Sequence, residues 1–245
     1  DTQDANQTVT LEENTCTENK ADAGGVLNVN AVAVTNGFQM ITLKKNNFTG
    51  NQATSYGGVT MLSAQFDQTL VVDNCTFNAN SAVGSAGGLY VNGAGSNGQQ
   101  TLDFINNILT SNSVPNTAEY QRGGFAYILS AKSLMINVVH HRNVTSNAAR
   151  YGGVFYIEAD IQDSNVVVNV ADTDFKANDA LLRGGVFAVE MHNTSSFSMN
   201  LSDCTFESNN AITFASGLSL YSSASSGNQS VFLRNVTAWD NTIVG

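Results

Sequence analysis

The sequence repeats itself with a period near thirty residues, and that period restricts the available folds more than any other feature. A pattern apolar-x-x-Asn recurs as Phe48 to Asn51, Phe77 to Asn80, Leu109 to Asn112, Val144 to Asn147, Phe175 to Asn178 and Phe206 to Asn209. Weaker copies run from Cys16 to Asn19 and from Ala238 to Asn241. The eight asparagines, Asn19, Asn51, Asn80, Asn112, Asn147, Asn178, Asn209 and Asn241, stand 32, 29, 32, 35, 31, 31 and 32 residues apart. Such a period marks a solenoid, in which each unit buries its apolar face against its neighbours.

Counting back five residues from the apolar position gives Leu11, Leu43, Val72, Phe104, Val139, Val170, Leu201 and Leu233. Counting back seven gives Val9, Ile41, Leu70, Leu102, Asn137, Val168, Met199 and Val231, apolar in all but one copy. Positions two apart that stay apolar together mark the inward face of a strand. After each asparagine comes a glycine signature: Gly24-Gly25, Gly57-Gly58, Gly87-Gly88, Gly123-Gly124, Gly152-Gly153, Gly184-Gly185 and the variant Ser216-Gly217, each followed by an apolar residue. Paired glycines permit a sharp corner with positive φ or a close backbone approach.

One coil therefore reads as a glycine corner, a strand, a variable loop, a second strand and the apolar-x-x-Asn strand. Stacking at roughly 4.8 Å per rung pairs every strand edge with the next unit. The expectation is an all-β fold, a right-handed single-stranded parallel β-helix of about eight coils forming one domain over residues 1–245. Only 12% of residues are charged and there is one proline, Pro115, a balance that suits stacked strands with polar turns. The asparagine column is expected to be a ladder of side-chain amides bonded from rung to rung or to a turn, since buried polar groups need partners.

The pairing of Gly-Gly-apolar with Phe-x-x-Asn resembles the repeats of chlamydial polymorphic outer membrane proteins and their relatives, over nearly the whole chain. That resemblance implies a secreted, surface-displayed parallel β-helix of the pectin-lyase-like type, used in adhesion or as a stalk. The chain departs from the autotransporter form in having no alternating-strand segment for a membrane barrel at its C-terminal side.

Acidic residues outnumber basic ones 20 to 10, for a net charge of −10, opposite to what nucleic-acid phosphates or anionic lipids attract. No run of eighteen apolar residues occurs, so neither nucleic-acid binding nor membrane insertion is expected. The sequence starts at Asp1 without Met or an apolar signal segment, which reads as a processed, secreted product. Three cysteines, Cys16, Cys75 and Cys204, have no CxxC spacing, so zinc is not expected. Cys75 and Cys204 fall in one column four coils apart, roughly 19 Å along the axis, too far for a disulfide, which needs α-carbons within about 7 Å.

An enzyme reading needs its chemistry, and the polysaccharide-cleaving β-helix signatures Asp-Asp and Gly-His-Gly are missing. His140 and His141 read as adjacent strand residues on opposite faces at the surface, and His192 is the third histidine. Asp172 and Asp203, with Asp174 nearby, could stack as carboxylates for Ca²⁺ or a shared proton. Their column elsewhere holds Glu13, Lys45, Asn74, Asn106, His141 and Asn235, which favours a solvated turn. Arg122, Arg150 and Arg183 precede three consecutive glycine corners and suggest a stripe for carboxylates or sugars, or simple charge neutralisation. No catalytic residue, cofactor or metal is expected.

Sequons occur at Asn6, Asn47, Asn74, Asn143, Asn193, Asn200, Asn228 and Asn235, and N-glycans are expected at several if the source is eukaryotic. Asn200 should point outward, between inward Met199 and Leu201, and Asn6, Asn193 and Asn228 read as loop positions. No cap is visible at either end, and uncapped strand edges propagate head to tail. The leading expectation is a non-enzymatic, extracellular structural protein assembling end to end. The alternatives are a cell-surface adhesin or carbohydrate-binding stalk, using Tyr90, Phe155 and Phe187 on an outer face, and a polysaccharide lyase or hydrolase.

Overall fold

A computed structural model describes residues 4–31, 36–94, 97–115, 121–192, 196–223 and 227–243. Among them every regular element is a β-strand and every strand pairing is parallel, from one coil to the next. The protein is a parallel β-solenoid of seven full turns plus the first strands of an eighth, with the right-handed sense that parallel strands joined by crossovers adopt.

The long face stacks Asp4–Glu12, Asn36–Lys44, Asp67–Asp73, Gln99–Ile105, Ser133–Val139, Asn165–Ala171, Ser196–Glu207 and Gln229–Trp239. After a corner, short strands from Thr15–Thr17 to Asp174–Lys176 form the short face, which the last two long strands reach without a break. The glycine-led third face stacks seven strands, from Leu27–Ala31 to Leu218–Ser222. A narrow glycine-side strip joins short and third faces through pairs such as Gln52–Tyr56 with Ser81–Ala82 and Asp179–Arg183 with Asn210–Ala211.

Side chains lie in columns. Leu11, Leu43, Val72 and Phe104 are paired in register and continue through Val138, Val170, Leu201 and Leu233. Leu43, Val72, Phe104 and Val138 are sealed from solvent, and each fully buried side chain of this size contributes about 1.5–3 kcal/mol. The fifth coil corrects the expected register by one residue. Val138, not Val139, points inward, and Ile136 fills the inner site assigned to Asn137, which turns outward. The cause is an extra residue in the corner, His140 to Arg142, where the preceding coil has only Asn106 and Asn107. A strand slipped by one residue would exchange its two faces, so the apolar pattern places the insertion in the corner.

Two glycine pairs also shift by one. The left-handed first position is Gly24, Gly57, Ala86, Gly123, Gly152, Gly184 and Ala215, so the third corner is Ala86-Gly87 rather than Gly87-Gly88 and the last is Ala215-Ser216 rather than Ser216-Gly217. Alanine is thus accepted at the first position. The second position has a different constraint: a Cβ on Gly124 would lie 2.0 Å from the carbonyl oxygen of Gly153, and one on Gly153 2.1 Å from that of Gly185. Rungs touch backbone to backbone at this corner.

Phe155 and Phe187 are core residues with no exposure, not outer-face residues. Arg150 lies outside the column of Arg122 and Arg183, which Tyr151 shares. Asn6 belongs to a strand rather than a loop.

Candidate functional site

The asparagine column is a continuous amide ladder. Each Nδ2 donates to the Oδ1 of the next asparagine at 2.8 to 3.0 Å, from Asn19 through Asn241. The backbone N–H of each donates to the same oxygen at 2.9 to 3.2 Å. The second Nδ2 proton goes to the carbonyl of the apolar residue one coil back, as from Asn147 to Leu109 at 2.8 Å. Every interior amide is therefore saturated, and Asn51, Asn80, Asn112, Asn147, Asn178 and Asn209 have no exposure.

A second ladder runs inside the first four coils. Gln39 donates through Nε2 to Gln7 Oε1, Gln68 to Gln39 and Gln100 to Gln68, at 3.1, 2.7 and 2.8 Å. The column then turns apolar at Leu134, Val166 and Phe197 and returns to Gln229. Its sequence signal is a glutamine nine residues before the apolar position.

At the corner between long and short faces, Asn46 and Asn107 cap carbonyls of Leu11 and Val72 through Nδ2 at 2.7 and 2.8 Å. His141 takes this role in the expanded coil, with Nε2 and Nδ1 each 3.1 Å from the carbonyl oxygens of Phe104 and Asn107. It is buried, which corrects its surface reading, and neither His140 nor His141 lies in a strand. Burial holds the His141 imidazole below its ordinary pKa of 6.5, with the two carbonyls opposing and His140 adding to the depression. The unfolded chain then binds the extra proton first, so this contribution is present above the unfolded pKa and is lost as pH falls below about 6.5. Acidification from pH 7 to 5 is expected to lower the melting temperature of the wild type more than that of His141→Asn. Equal pH slopes in scanning calorimetry would contradict this.

The acidic column sets each carboxylate on partners of its own. His140, not His141, occupies it, and its Nδ1 lies 3.0 Å from Asp172 Oδ2, with Arg142 also on Asp172. The hydrogen bond to His140 holds the Asp172 carboxyl below its usual range. Asp203 pairs with Arg234 and Asn235, and Asp174 accepts from Thr205. Asp172 and Asp203 are left-handed turn residues. Among the described residues no cluster of three or more His, Cys, Asp or Glu is arranged to hold a metal, and no helix is long and apolar enough to cross a membrane. All three cysteines are free, and burial pushes the Cys75 thiol up to about 11, which leaves it a poor nucleophile.

The outer side of the third face carries the densest array of polar and aromatic groups. Tyr90, Tyr127 and Tyr156 stack in register with ring centroids 5.3 and 5.2 Å apart, and Tyr56 lies 4.7 Å from Tyr90. Arg122 donates to Glu158 and to the Tyr127 hydroxyl, both at 2.8 Å, and its guanidinium lies 4.8 Å from the Tyr156 ring centre. Arg183 stands over Phe214 and Tyr221, 3.7 Å from Glu190. The sequence reading places Tyr90 on an outer face and Arg122 and Arg183 in one stripe but not Tyr127 and Tyr156, which share the position of Tyr90, three residues after the second corner residue.

Of the sequons, Asn6, Asn47, Asn74, Asn143, Asn228 and Asn235 are exposed, and Asn193 lies outside the described residues. Asn200 points outward but is half-buried, donating to Asn169 at 2.8 Å.

Leu233 and Phe232 on the last long strand are 64% and 62% exposed, and a hollow of about 260 Å³ there is lined by Leu201, Leu218, Val231, Leu233 and Val236 among others. No family model matches the chain, and neither a curated protein nor a solved structure shows significant similarity to it. Function has to be argued from these surfaces.

Proposed function

We propose that the chain is a non-enzymatic structural protein, extracellular or displayed at a cell surface, whose coils continue from one copy to the next. The observation that supports this reading is the unbroken stack itself: Leu11, Leu43, Val72 and Phe104 lie in one column, and the asparagine ladder bonds each rung to the next. Each coil repeats the pairing edge of the one before it, and a contact between unlike ends of such a rod does not close on itself and gives a filament. The engagement of Asp172, Asp203 and Asp174 with turn partners, and the burial of His141, support a role without acid-base chemistry. The resemblance of the repeats to polymorphic outer membrane proteins supports surface display, and the exposed sequons support N-glycosylation.

Negative-stain electron microscopy with sedimentation over a concentration series tests the proposal. Filaments with an axial repeat of roughly 38 Å, eight rungs of 4.8 Å, are expected. Single rods and a monomer at every concentration would overturn it. The tyrosine array gives no support to a carbohydrate-binding or adhesive stalk, since Tyr90, Tyr127 and Tyr156 are buried and pack edge to face against one another.

A further inference from the structure

The outer side of the long face is also built in columns, which pair from rung to rung without a register shift. With Asp4–Glu12 as the first rung, the fourth to seventh rungs carry one charged residue, Asp103, among the outward positions of these columns. An outward amide ladder runs through them, Asn200 donating to Asn169, Asn169 to Asn137 and Asn137 to the Asp103 carboxylate, at 2.8, 2.9 and 2.7 Å. Apolar columns flank it, Met135 and Val167 on one side and Ile105, Val139 and Ala171 on the other. Met135 is 44% exposed, and Phe38 on the second rung is 39% exposed. The eight long strands, at about 4.8 Å per rung and about 3.3 Å per residue, make a face of roughly 900 Å². That is close to the ~800 Å² each partner contributes to a stable interface.

We propose that this face packs side by side on the same face of a second copy, the two rods running in opposite directions. The twofold axis lies along the strands, between the fourth and fifth rungs. Sheets pack face to face about 10 Å apart with their strands nearly aligned, and this axis lays each column on its own copy. Ile105 then meets Val139 of the second copy, and Asp103 meets Asn137, which adds an amide donor to the carboxylate. Farther out, Glu12 meets Arg234, whose side chain is 78% exposed. No two like charges face each other across the four outward columns in this arrangement. Rods running in the same direction with the same overlap would set Asp67 against Asp73 of the second copy, so charge selects the antiparallel pair. The contact lies mid-rod and does not depend on whether coils continue from copy to copy. The sequon at Asn200 falls on this face, half-buried with its amide on Asn169, and a glycan there would hold the copies apart.

Sedimentation equilibrium over a concentration series reads the pairing, and circular dichroism melting verifies that each variant folds. Met135→Lys buries a charge near the centre of the contact and is expected to raise the dimer dissociation constant about tenfold or more. Arg234→Glu sets a carboxylate against Glu12 and is expected to weaken pairing about as much, with the difference shrinking at high salt. Glu12→Arg/Arg234→Glu exchanges the two charges and is expected to restore pairing, which a merely destabilised rod would not do. Met135 lies far from either end of the stack, so Met135→Lys filaments one rod wide beside wild-type filaments two rods wide bear the pair out. Wild-type pairs that never elongate contradict the end-to-end reading and leave this one standing. Wild-type rods that stay single, a Met135→Lys variant that pairs as the wild type does, or a glycan on Asn200 in the native protein would overturn it.

Discussion

Asn147→Ala is expected to lose about 3–5 kcal/mol of stability, as much as truncating a buried aromatic residue of the core. The amide of Asn147 accepts from the backbone N–H and Nδ2 of Asn112 and donates to Asn178 Oδ1 and to the Leu109 carbonyl. Truncation leaves those donors and the Leu109 carbonyl without partners where no water reaches, and each orphaned buried group costs about 1–3 kcal/mol. Asn147→Asp keeps the shape but turns a donor into a second acceptor facing two oxygens, so it is expected to be at least as damaging. Asn241→Ala is the control. Its ladder position is partly exposed and only Asn209 donates to it, so a loss near 1 kcal/mol is expected. Urea unfolding followed by far-ultraviolet circular dichroism measures all three, and equal losses at Asn147 and Asn241 would show that the ladder is not cooperative with the core.

The glycine corners give the second large effect, and its size differs between adjacent residues. Gly153→Ala drives a methyl to 2.1 Å from the Gly185 carbonyl oxygen and 2.6 Å from that of Asp179. Both contacts are rung-to-rung backbone, so relief requires two coils to separate, at a cost of about 3 kcal/mol or more. Gly152→Ala meets a contact within its own coil instead, its methyl 2.2 Å from the Phe155 carbonyl oxygen, which relaxes without parting two rungs, so a milder penalty is expected. Its φ of +62° is the value Ala86 takes in another coil, and a left-handed non-glycine residue costs about 1–2 kcal/mol. Thermal melting of the two variants is expected to separate them clearly, with Gly153→Ala lower. Reversal of that order would mean that the torsion, and not the spacing of the rungs, fixes these glycines.

The period of the fold is legible in the sequence because a solenoid translates stacking directly into repetition. Apolar columns such as Leu43, Val72 and Phe104 need no tertiary information beyond the next coil. What misled the reading is a feature that repetition conceals. The corner insertion at His140 to Arg142 shifts one strand by a residue, and the only outward sign was Asn137 in an otherwise apolar column together with the 35-residue spacing. The glutamine ladder was readable in principle, since Gln7, Gln39, Gln68 and Gln100 all stand nine residues before the apolar position. It went unseen because glutamine is ordinarily a surface residue. The contacts of the tyrosine array were not legible, as Arg122 meets Tyr156 and Glu158 only through the stacking of two adjacent coils.

Rung-by-rung register is the claim on which ladders and corners both depend, and engineered disulfides at the expanded coil test it. Asn137 and Asn169 are paired outward neighbours, joined by a 2.9 Å bond between their amides, and adjacent rungs place α-carbons about 4.8 Å apart, within disulfide range. Oxidised Asn137→Cys/Asn169→Cys is expected to yield the 137–169 bond in peptide mass mapping, whereas Asn137→Cys/Val168→Cys, with side chains on opposite faces, yields none. A bond in the second pair and not in the first would contradict the stacking.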